Sequence, residues 1–370
     1  MRQPEVTILL LCCRVYLQTS SISTLCTFIS GHSIDWQVVY KLCVRHRIRP
    51  VVYYVLNRLK GIVPQEALQL FKAYCREFSV FAFDRKMVTE YIIDRLKQHG
   101  VTARFYKGMD FAQLVYGDIA LREFTDMDII IPEDQVSTVV SVMQAEGYEM
   151  HQEQYFSSYP NHFKDHIKEV VFGKPCSRGK WLSFEFHYRP PETLTDAQYR
   201  FDQLLGSDYL TGVPFTHEDY YRLMLVNNGA SDFYPHLRSL LDMALLYRQG
   251  PHKVPPELQG FEDLWMQLAS DLLDVPAAAS GPAPGKTCQL LMKRLLHEPA
   301  PTENKFLQLA FIRLSFMTSL KAKYTVFMQY LSFLLRPNGE DIMSLRLPYF
   351  FLYYFTKPFR LTLGLFRRSK

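Results

Sequence analysis

The chain has 370 residues, enough for two or three domains. With 48% hydrophobic and 21% charged residues and a net charge of +5, its composition is that of a globular protein and excludes an intrinsically disordered one. No stretch reaches the roughly 20 apolar residues that a membrane span needs. The seven scattered cysteines form no Cys-x-x-Cys pair, as is typical of thiols in a reducing compartment. We therefore expect a cytoplasmic protein without a transmembrane span.

The first 98 residues predict helices only. Apolar residues recur at helical spacing in Trp36–Val44, in Val51–Leu59 and in the long stretch Gln65–Lys97. His99-Gly100 follows the last of these, and glycine is favoured just past the end of a helix. We predict a helical N-terminal region over residues 1–98.

Residues 99–190 change to an alternating pattern of strands and helices. The predicted strands are Val101–Tyr106, Phe124–Ile131, Ile167–Phe172 and Trp181–Tyr188. The predicted helices are Met109–Tyr116 and Glu133–Gly147, and Gly173–Lys180 is predicted as a hairpin-like loop. This order predicts an α+β fold, in which a small mixed β-sheet is flanked by N-terminal and C-terminal helical regions.

Residues 191–370 predict a second helical region with a basic, aromatic tail. The helical segments are Asp219–Asn228, Pro235–Gln249, Glu262–Leu273, Lys286–Leu296 and Lys305–Leu335, with a linker rich in Pro, Ala and Gly at Val275–Lys286. Residues 311–370 contain ten Lys or Arg against two acids. Within them, Leu347–Arg368 alternates aromatic blocks with cations. It could make a weak contact with an anionic surface, or its aromatics could pack on the helices.

Two aspartates lie in the second predicted strand. In a strand, Asp126 and Asp128 would share one face about 7 Å apart, while Met127 and Ile129 face a core. Neighbouring carboxylates repel each other unless a cation lies between them, and a hard divalent cation prefers oxygen ligands. The pair therefore predicts a metal site, with a pair of solvated acids as the alternative.

A possible phosphate-binding turn precedes this strand. Glycine at Lys107-Gly108 lets a phosphate approach the backbone, the following helix directs N–H groups at it, and the lysine adds a positive charge. A simple turn is the alternative. Arg122 could bind a triphosphate, or it could form a salt bridge to Asp126 or Glu123.

A third acid follows in the last predicted strand. Glu185 and His187 share a face there, opposite two phenylalanines. A carboxylate in such surroundings pairs with a cation or shifts its pKa, and a third acid near the first two would complete a site for one or two Mg²⁺ ions. The alternative is an ordinary polar strand face. His187 could bind substrate or be a structural group.

Three further side chains are candidates of lower rank. His162 and His166 lie four residues apart on a predicted helix and could contact substrate or bind zinc, or they could be exposed histidines without a ligand. Asp242 lies on an apolar helix and is predicted to be a buried hydrogen-bonding anchor.

Several of these motifs occur together in one family. They are Tyr106-Lys107-Gly108, Tyr116, the segment 122–131 with its two aspartates, Gly147-Tyr148 and Glu185-Phe186-His187-Tyr188. Together they resemble the bacterial uncharacterised nucleotidyltransferase family, within the polymerase-β-like nucleotidyltransferase superfamily. His46, Pro50 and Leu237–Leu246 extend the resemblance to roughly residues 35–250. The chain departs from the superfamily in having Lys-Gly rather than Gly-Ser at the turn, with 17 residues between Gly108 and Asp126.

The resemblance implies transfer of a nucleoside monophosphate from a nucleoside triphosphate such as ATP to an acceptor hydroxyl, with release of pyrophosphate. By position, Asp126, Asp128 and Glu185 would be the catalytic, metal-binding carboxylates, with Mg²⁺ or Mn²⁺ as cofactor. Lys107, Gly108 and Arg122 would bind the nucleotide. Glu185 could be a metal ligand or the general base. The acceptor could be a small molecule, a sugar, a peptide or an RNA.

Two other functions remain open at this point. A metal-dependent glycosyltransferase could also use an acidic pair to hold a metal and a nucleotide sugar. Such enzymes usually carry a longer nucleotide-binding region before the pair, whereas here helices and one strand precede it. A catalytically silent nucleotide-binding module is the third possibility, and retention of all three acids weighs against it.

Overall fold

A computed structural model gives the fold of the chain. It describes residues 4–175, 181–193, 195, 198–211, 214–250, 252–276, 285–297, 305–344, 347 and 349–357. The predicted α+β class is confirmed, since a five-stranded mixed sheet is flanked by helices from both ends of the chain.

Five helices precede the sheet: α1 (Pro4–Tyr16), α2 (Ile22–Ser30), α3 (Trp36–His46), α4 (Arg49–Leu56) and α5 (Gln65–Gln98). Local signals set their ends. The Asp35 carboxylate caps α3 by accepting hydrogen bonds from the N–H groups of Gln37 and Val38. Gly100, with φ +74°, follows α5 as predicted. The predicted helices over residues 36–44, 51–59 and 65–97 are confirmed, with small shifts at their ends.

The central region follows in the order β1 (Arg104–Phe105), α6 (Met109–Tyr116), β2 (Met127–Ile130), α7 (Val136–Ala145), β3 (Glu149–Met150), α8 (Glu153–Ser158), α9 (Pro160–His166), β4 (Glu169–Pro175) and β5 (Trp181–His187). The strand order across the sheet is β1-β2-β5-β4-β3. Strands β2 and β5 are parallel, and the other neighbours are antiparallel. This arrangement places the two predicted acidic strands side by side.

The strand boundaries differ from the predicted ones. Only two residues of the predicted strand over 101–106 pair with β2, and the predicted strand over 124–131 begins at Met127. Asp126 therefore precedes β2 rather than lying within it. The predicted loop over 173–180 is strand as far as Pro175, and residues 176–180 lie outside the described residues. The short edge strand β3 was not predicted.

The C-terminal helices are α10 (Phe201–Leu205), α11 (His217–Met224), α12 (Leu237–Tyr247), α13 (Gln259–Leu273), α14 (Gly285–Leu296), α15 (Lys305–Phe316), α16 (Leu320–Leu335) and α17 (Gly339–Ser344). A π-helical turn, Leu225–Ser231, continues α11. The single helix predicted over 305–335 is divided, because α16 begins anew with Ser319 as its cap. Most of the predicted linker, residues 277–284, lies outside the described residues.

Two hydrophobic clusters hold these elements together. One combines apolar residues of α1, α3 and α4 with those of α11, α12 and α13, so helices from both ends of the chain share a core. The other lies beneath the sheet and includes Met127, Ile129, Phe184 and Phe186. The domain boundaries at residues 98 and 190 stay a prediction.

The aromatic tail is only partly packed. Phe350 and Tyr353 are buried, whereas Tyr349, Phe351 and Phe355 are exposed. Residues 358–370 lie outside the described residues. Of the helices that the structure describes, none combines the length and apolar character that crossing a bilayer requires.

Candidate active site

The acidic residues meet on one face of the sheet, where β2, β5 and β4 lie side by side. Asp128 is in register with Glu185 across the parallel pair β2/β5. Across the antiparallel pair β4/β5, Glu169 is opposite His187 and Val171 is opposite Glu185. Because residues directly opposite each other share a face, three carboxylates and one imidazole are gathered there.

Asp128 is held by two cationic groups. Its Oδ1 lies 2.9 Å from Lys107 Nζ and accepts a hydrogen bond from His187 Nε2, also at 2.9 Å. Burial alone would raise the pKa of Asp128, but the Lys107 charge and the His187 hydrogen bond hold it well below its usual range. Burial would likewise lower the pKa of Lys107, but Asp128 raises it. Both groups therefore stay charged at neutral pH.

His187 lies between two carboxylates. Its Nδ1 is 2.8 Å from Glu169 Oε2, on the side opposite Asp128. Burial would lower the pKa of His187, but the two acids raise it. Burial would raise the pKa of Glu169, but His187 brings it down to about 2. Because its Nε2 hydrogen-bonds to Asp128 Oδ1, His187 orients that carboxylate.

Glu185 has the opposite electrostatic surroundings. Burial, followed by the charges of Asp126 and Asp128, raises its pKa to about 7, although His187 opposes the shift. Its Oε2 lies 3.7 Å from His187 Nε2. Four carboxylates, those of Asp126, Asp128, Glu169 and Glu185, thus meet three basic groups, those of Lys107, Lys168 and His187. A divalent cation would relieve the repulsion among the carboxylates.

Within the described part of the chain, one group of side chains has ligand atoms all within 4.8 Å of one another: Asp128, Glu185 and His187. Asp126 borders the same cavity but is not in this group, and its Oδ1 accepts a hydrogen bond from the Thr125 hydroxyl at 3.2 Å. Because His187 Nε2 already hydrogen-bonds to Asp128, the oxygens of Asp128 and Glu185 are the better ligands, with Asp126 beside them. Carboxylates fit Mg²⁺ or Mn²⁺.

The turn before α6 reaches the same place. Gly108 has φ +67°, a conformation that favours glycine, and it lines the cavity at the start of the helix. A Cβ added there would lie 3.8 Å from the Asp126 carbonyl oxygen. Lys107 Nζ also donates to Asn227 Oδ1 at 3.2 Å, which connects the turn to the π-helical segment.

The cavity has a volume of about 240 Å³, and acidic and basic side chains line it together. The sheet supplies Asp128, Glu169 and Glu185, and three arginines also line the cavity, namely Arg47, Arg122 and Arg238. Arg238 donates through Nη1 to the Glu123 carbonyl oxygen, but its Nε is buried without a hydrogen-bond partner among the described residues. Burial, with the charge of Arg122, lowers the pKa of Arg238 to about 10. An anion beside it would relieve this cost.

Arg122 has a buried partner of its own. Its Nε and Nη2 donate to the two oxygens of Asp242, each at 2.9 Å, and the Tyr116 hydroxyl donates to the same carboxylate at 2.7 Å. The predicted role of Asp242 as a buried anchor is confirmed. The alternative that paired Arg122 with Asp126 or Glu123 is wrong, because Glu123 binds Arg49 instead.

Replacing Asp242 by alanine is expected to destabilise the fold by about 3–5 kcal/mol, because it leaves the buried Arg122 charge without its partner. Urea denaturation measures the loss. Asp202→Ala is the control, since its pair with Arg200 is exposed, and little change is expected there. A loss below about 1 kcal/mol in Asp242→Ala would show that Arg122 finds another partner.

His162 and His166 are not brought to this cavity. The two rings stack on Phe350, with centroid distances of 3.9 and 5.5 Å, and His166 Nδ1 lies 3.0 Å from the Tyr155 hydroxyl. The described residues place no third metal ligand with them. Their predicted role in substrate or zinc binding stays a prediction.

Several residues of the site were not found from the sequence: Arg47, Lys168, Glu169, Asn227, Asp232 and Arg238. Glu169 was detectable in principle, since it opens an apolar strand facing the one that carries His187. Asn227 is about a hundred residues from the acidic pair, and Arg238 is more than a hundred. Both join it only through helix packing, which sequence periodicity does not specify.

Comparison with known proteins finds a family match for this chain. The family model described as "Uncharacterised nucleotidyltransferase" matches residues 32–256, more than half of the chain and close to the range expected from the motifs. No curated protein and no solved structure matches the chain. The family prediction is confirmed: the chain belongs to the uncharacterised nucleotidyltransferase family.

Proposed function

We propose that the protein is a metal-dependent nucleotidyltransferase of the polymerase-β-like superfamily. It transfers a nucleoside monophosphate from a nucleoside triphosphate, such as ATP, to an acceptor hydroxyl. The observation that carries the proposal is the pairing of Asp128 with Glu185 on one sheet face, in a cavity that three arginines also line. We also propose a bacterial source, and a cytoplasmic location that the free thiols of the six described cysteines support.

The acidic and the basic residues of the cavity have separate tasks in this proposal. Asp128 and Glu185, with Asp126 beside them, would hold Mg²⁺ or Mn²⁺. When bound, the cation would neutralise phosphate charge in the ground and transition states. Lys107, the Gly108 turn and Arg238 bind the triphosphate through charge-assisted hydrogen bonds. His187 keeps the Asp128 carboxylate fixed.

The transfer exchanges one phosphorus–oxygen bond for another. The acceptor oxygen forms a bond to the α-phosphorus, the bond from the α-phosphorus to the bridging oxygen breaks, and pyrophosphate leaves with the electron pair. The proton of the acceptor hydroxyl goes to the Glu185 carboxylate, which lies beside Asp128 on the same sheet face.

Pyrophosphate release in the presence of Mg²⁺ tests the proposal. Each nucleoside triphosphate is supplied in turn with a mixture of acceptors, and Asp126→Ala and Asp128→Ala are assayed beside the unchanged chain. Release that both variants abolish supports nucleotidyl transfer. Turnover with nucleotide sugars alone would support the glycosyltransferase alternative, and nucleotide binding without turnover of any donor would support the silent module.

Arg238→Ala is expected to raise the KM for the nucleoside triphosphate by roughly ten- to a hundredfold, with a smaller effect on kcat, since a charge-assisted hydrogen bond contributes about 1.5–3 kcal/mol. Steady-state kinetics at saturating acceptor measures this. Arg248→Ala, at the exposed end of the same helix, is the control and should leave KM unchanged. Equal KM values in both variants would contradict the assignment of Arg238 to triphosphate binding.

We also propose a weak contact between the C-terminal tail, Leu347–Arg368, and an anionic surface, in which helix α16 takes part. Helix α16 exposes apolar side chains at helical spacing, namely Leu320, Tyr324, Phe327, Leu331 and Leu334, and Lys321 and Lys323 are exposed beside them. Co-sedimentation with phosphatidylserine vesicles should exceed that with phosphatidylcholine vesicles and should fall in Lys321→Glu/Lys323→Glu. Equal sedimentation with both lipids would contradict the contact.

A further inference from the structure

A second cavity adjoins the candidate active site. It has a volume of about 540 Å³ and shares Lys168 and Glu169 with the smaller cavity. Val171 also lines it, and Val171 is directly opposite Glu185 in the sheet. The second cavity therefore opens on the same sheet face as the acids, one strand farther toward the edge.

The polar groups of this cavity are two carboxylates, two imidazoles, one amide and one ammonium group. The carboxylates belong to Glu169 of β4 and to Glu192, which binds Arg336 at 2.6 Å. The other polar groups are His151, Gln152, His166 and Lys168. Such a lining can form hydrogen bonds with the hydroxyl groups of a ligand, and its two carboxylates disfavour an anion, because Lys168 is the one lysine or arginine among the lining residues.

The remaining walls are apolar. Phe163 and Val171 form the inner surface, and Phe333 of α16, which is 44% exposed, contributes an aromatic face from the other side. A cavity with apolar walls and a few convergent polar atoms is typical of a small-molecule site. Its volume lies within the usual range for such sites of about 300–1,000 Å³.

We infer that this cavity binds the acceptor, and that the acceptor is an uncharged, hydroxyl-rich compound with one apolar face, such as a glycoside. The inference rests on the proposed function in calling this compound the acceptor. Glu169 and Lys168 line both cavities, so they lie at the boundary where a bound hydroxyl would meet the α-phosphate. The binding of such a compound does not depend on turnover and can be measured separately.

Binding of phenyl β-D-glucopyranoside, followed by titration calorimetry or ligand-observed NMR without nucleotide, tests the inference. We expect the full chain to bind this glycoside more tightly than glucose 6-phosphate. Val171→Phe, which fills the cavity, and Phe333→Ala, which removes an aromatic wall, should each weaken binding at least tenfold. Phe327→Ala is the matched control, since Phe327 lies on the same helix, is 57% exposed and does not line the cavity.

The outcomes separate this inference from the proposed function. Tighter binding of glucose 6-phosphate, no binding of the glycoside, or equal binding in both cavity variants and the control would overturn the inference. Magnesium-dependent nucleotide turnover could still be intact in each of those cases. Cavity-dependent glycoside binding without any nucleotide turnover would support the cavity as a glycoside site and count against nucleotidyl transfer.

Discussion

Replacing Asp128 by asparagine is expected to lower nucleotidyl transfer by roughly a thousandfold or more, because a metal carboxylate supports several kcal/mol of transition-state stabilisation. Asparagine has the same shape but no charge. Asp128 is the acid that both Lys107 and His187 contact, and it is in register with Glu185. Loss of the Asp128 charge therefore weakens the metal site and also weakens the contacts through which Lys107 and His187 orient this side chain.

The fold should survive this change. Loss of the Asp128 charge leaves Lys107 without its closest partner, which is unfavourable for a buried ammonium group. The same change removes repulsion from Glu185, whose pKa Asp128 helps to raise. These two effects have opposite signs, so we expect a much smaller change in stability than in activity.

Two measurements check this prediction. Single-turnover pyrophosphate release gives the loss of rate, and a thermal melt with and without Mn²⁺ shows whether stabilisation by the metal is lost. Asp134→Asn, at an exposed position in the turn after β2, should behave as the unchanged chain in both assays. Full activity in Asp128→Asn would contradict the assignment of the metal site.

Strand periodicity was sufficient to find the centre of the site. Alternation in the segments around Asp128 and Glu185 correctly placed Met127, Phe184 and Phe186 in a core and the acids on the other face. The helices gave equally clear signals, and α6 has the predicted bounds. These features were accessible because each depends on residues close together in the sequence.

The rest of the site depends on contacts between distant segments. Strand β2 begins one residue after Asp126, because pairing with β5 starts at Met127, so only one of the two aspartates lies within the strand. The π-helical turn that supplies Asn227 interrupts a helix whose apolar pattern is otherwise regular. Phe350, which covers His162 and His166, comes from a segment almost 190 residues later.

Glu185 should make the metal-free protein less stable as the pH rises. Its pKa in the fold is about 7, above the ordinary value of 4.5, so the folded state binds the proton more tightly than the unfolded state does. The stabilisation is therefore complete below about pH 4.5 and is lost as the pH rises through about 7. Above that range, an ionised Glu185 repels Asp126 and Asp128.

Glu185→Gln removes this titration, because the neutral amide resembles the protonated acid. We expect the metal-free variant to melt several degrees above the unchanged chain at pH 8 and at nearly the same temperature at pH 5. Thermal melts in the presence of a chelator measure both differences. Glu149→Gln, at an exposed position in β3, is the control and should show no such dependence on pH.

Divalent cations should reverse the order of the two melting temperatures at pH 8, so that the unchanged chain melts above Glu185→Gln. Mg²⁺ or Mn²⁺ binding to the ionised Glu185 and Asp128 replaces repulsion by attraction, so the melting temperature of the unchanged chain rises. The glutamine variant lacks one of these carboxylates, so the metal should raise its melting temperature only slightly. Its pyrophosphate release should fall by at least a hundredfold, since the variant also lacks the base that takes the acceptor proton. A variant that the metal stabilises as strongly as the unchanged chain would exclude Glu185 as a ligand. If its turnover were still lost, the general-base role alone would account for the residue.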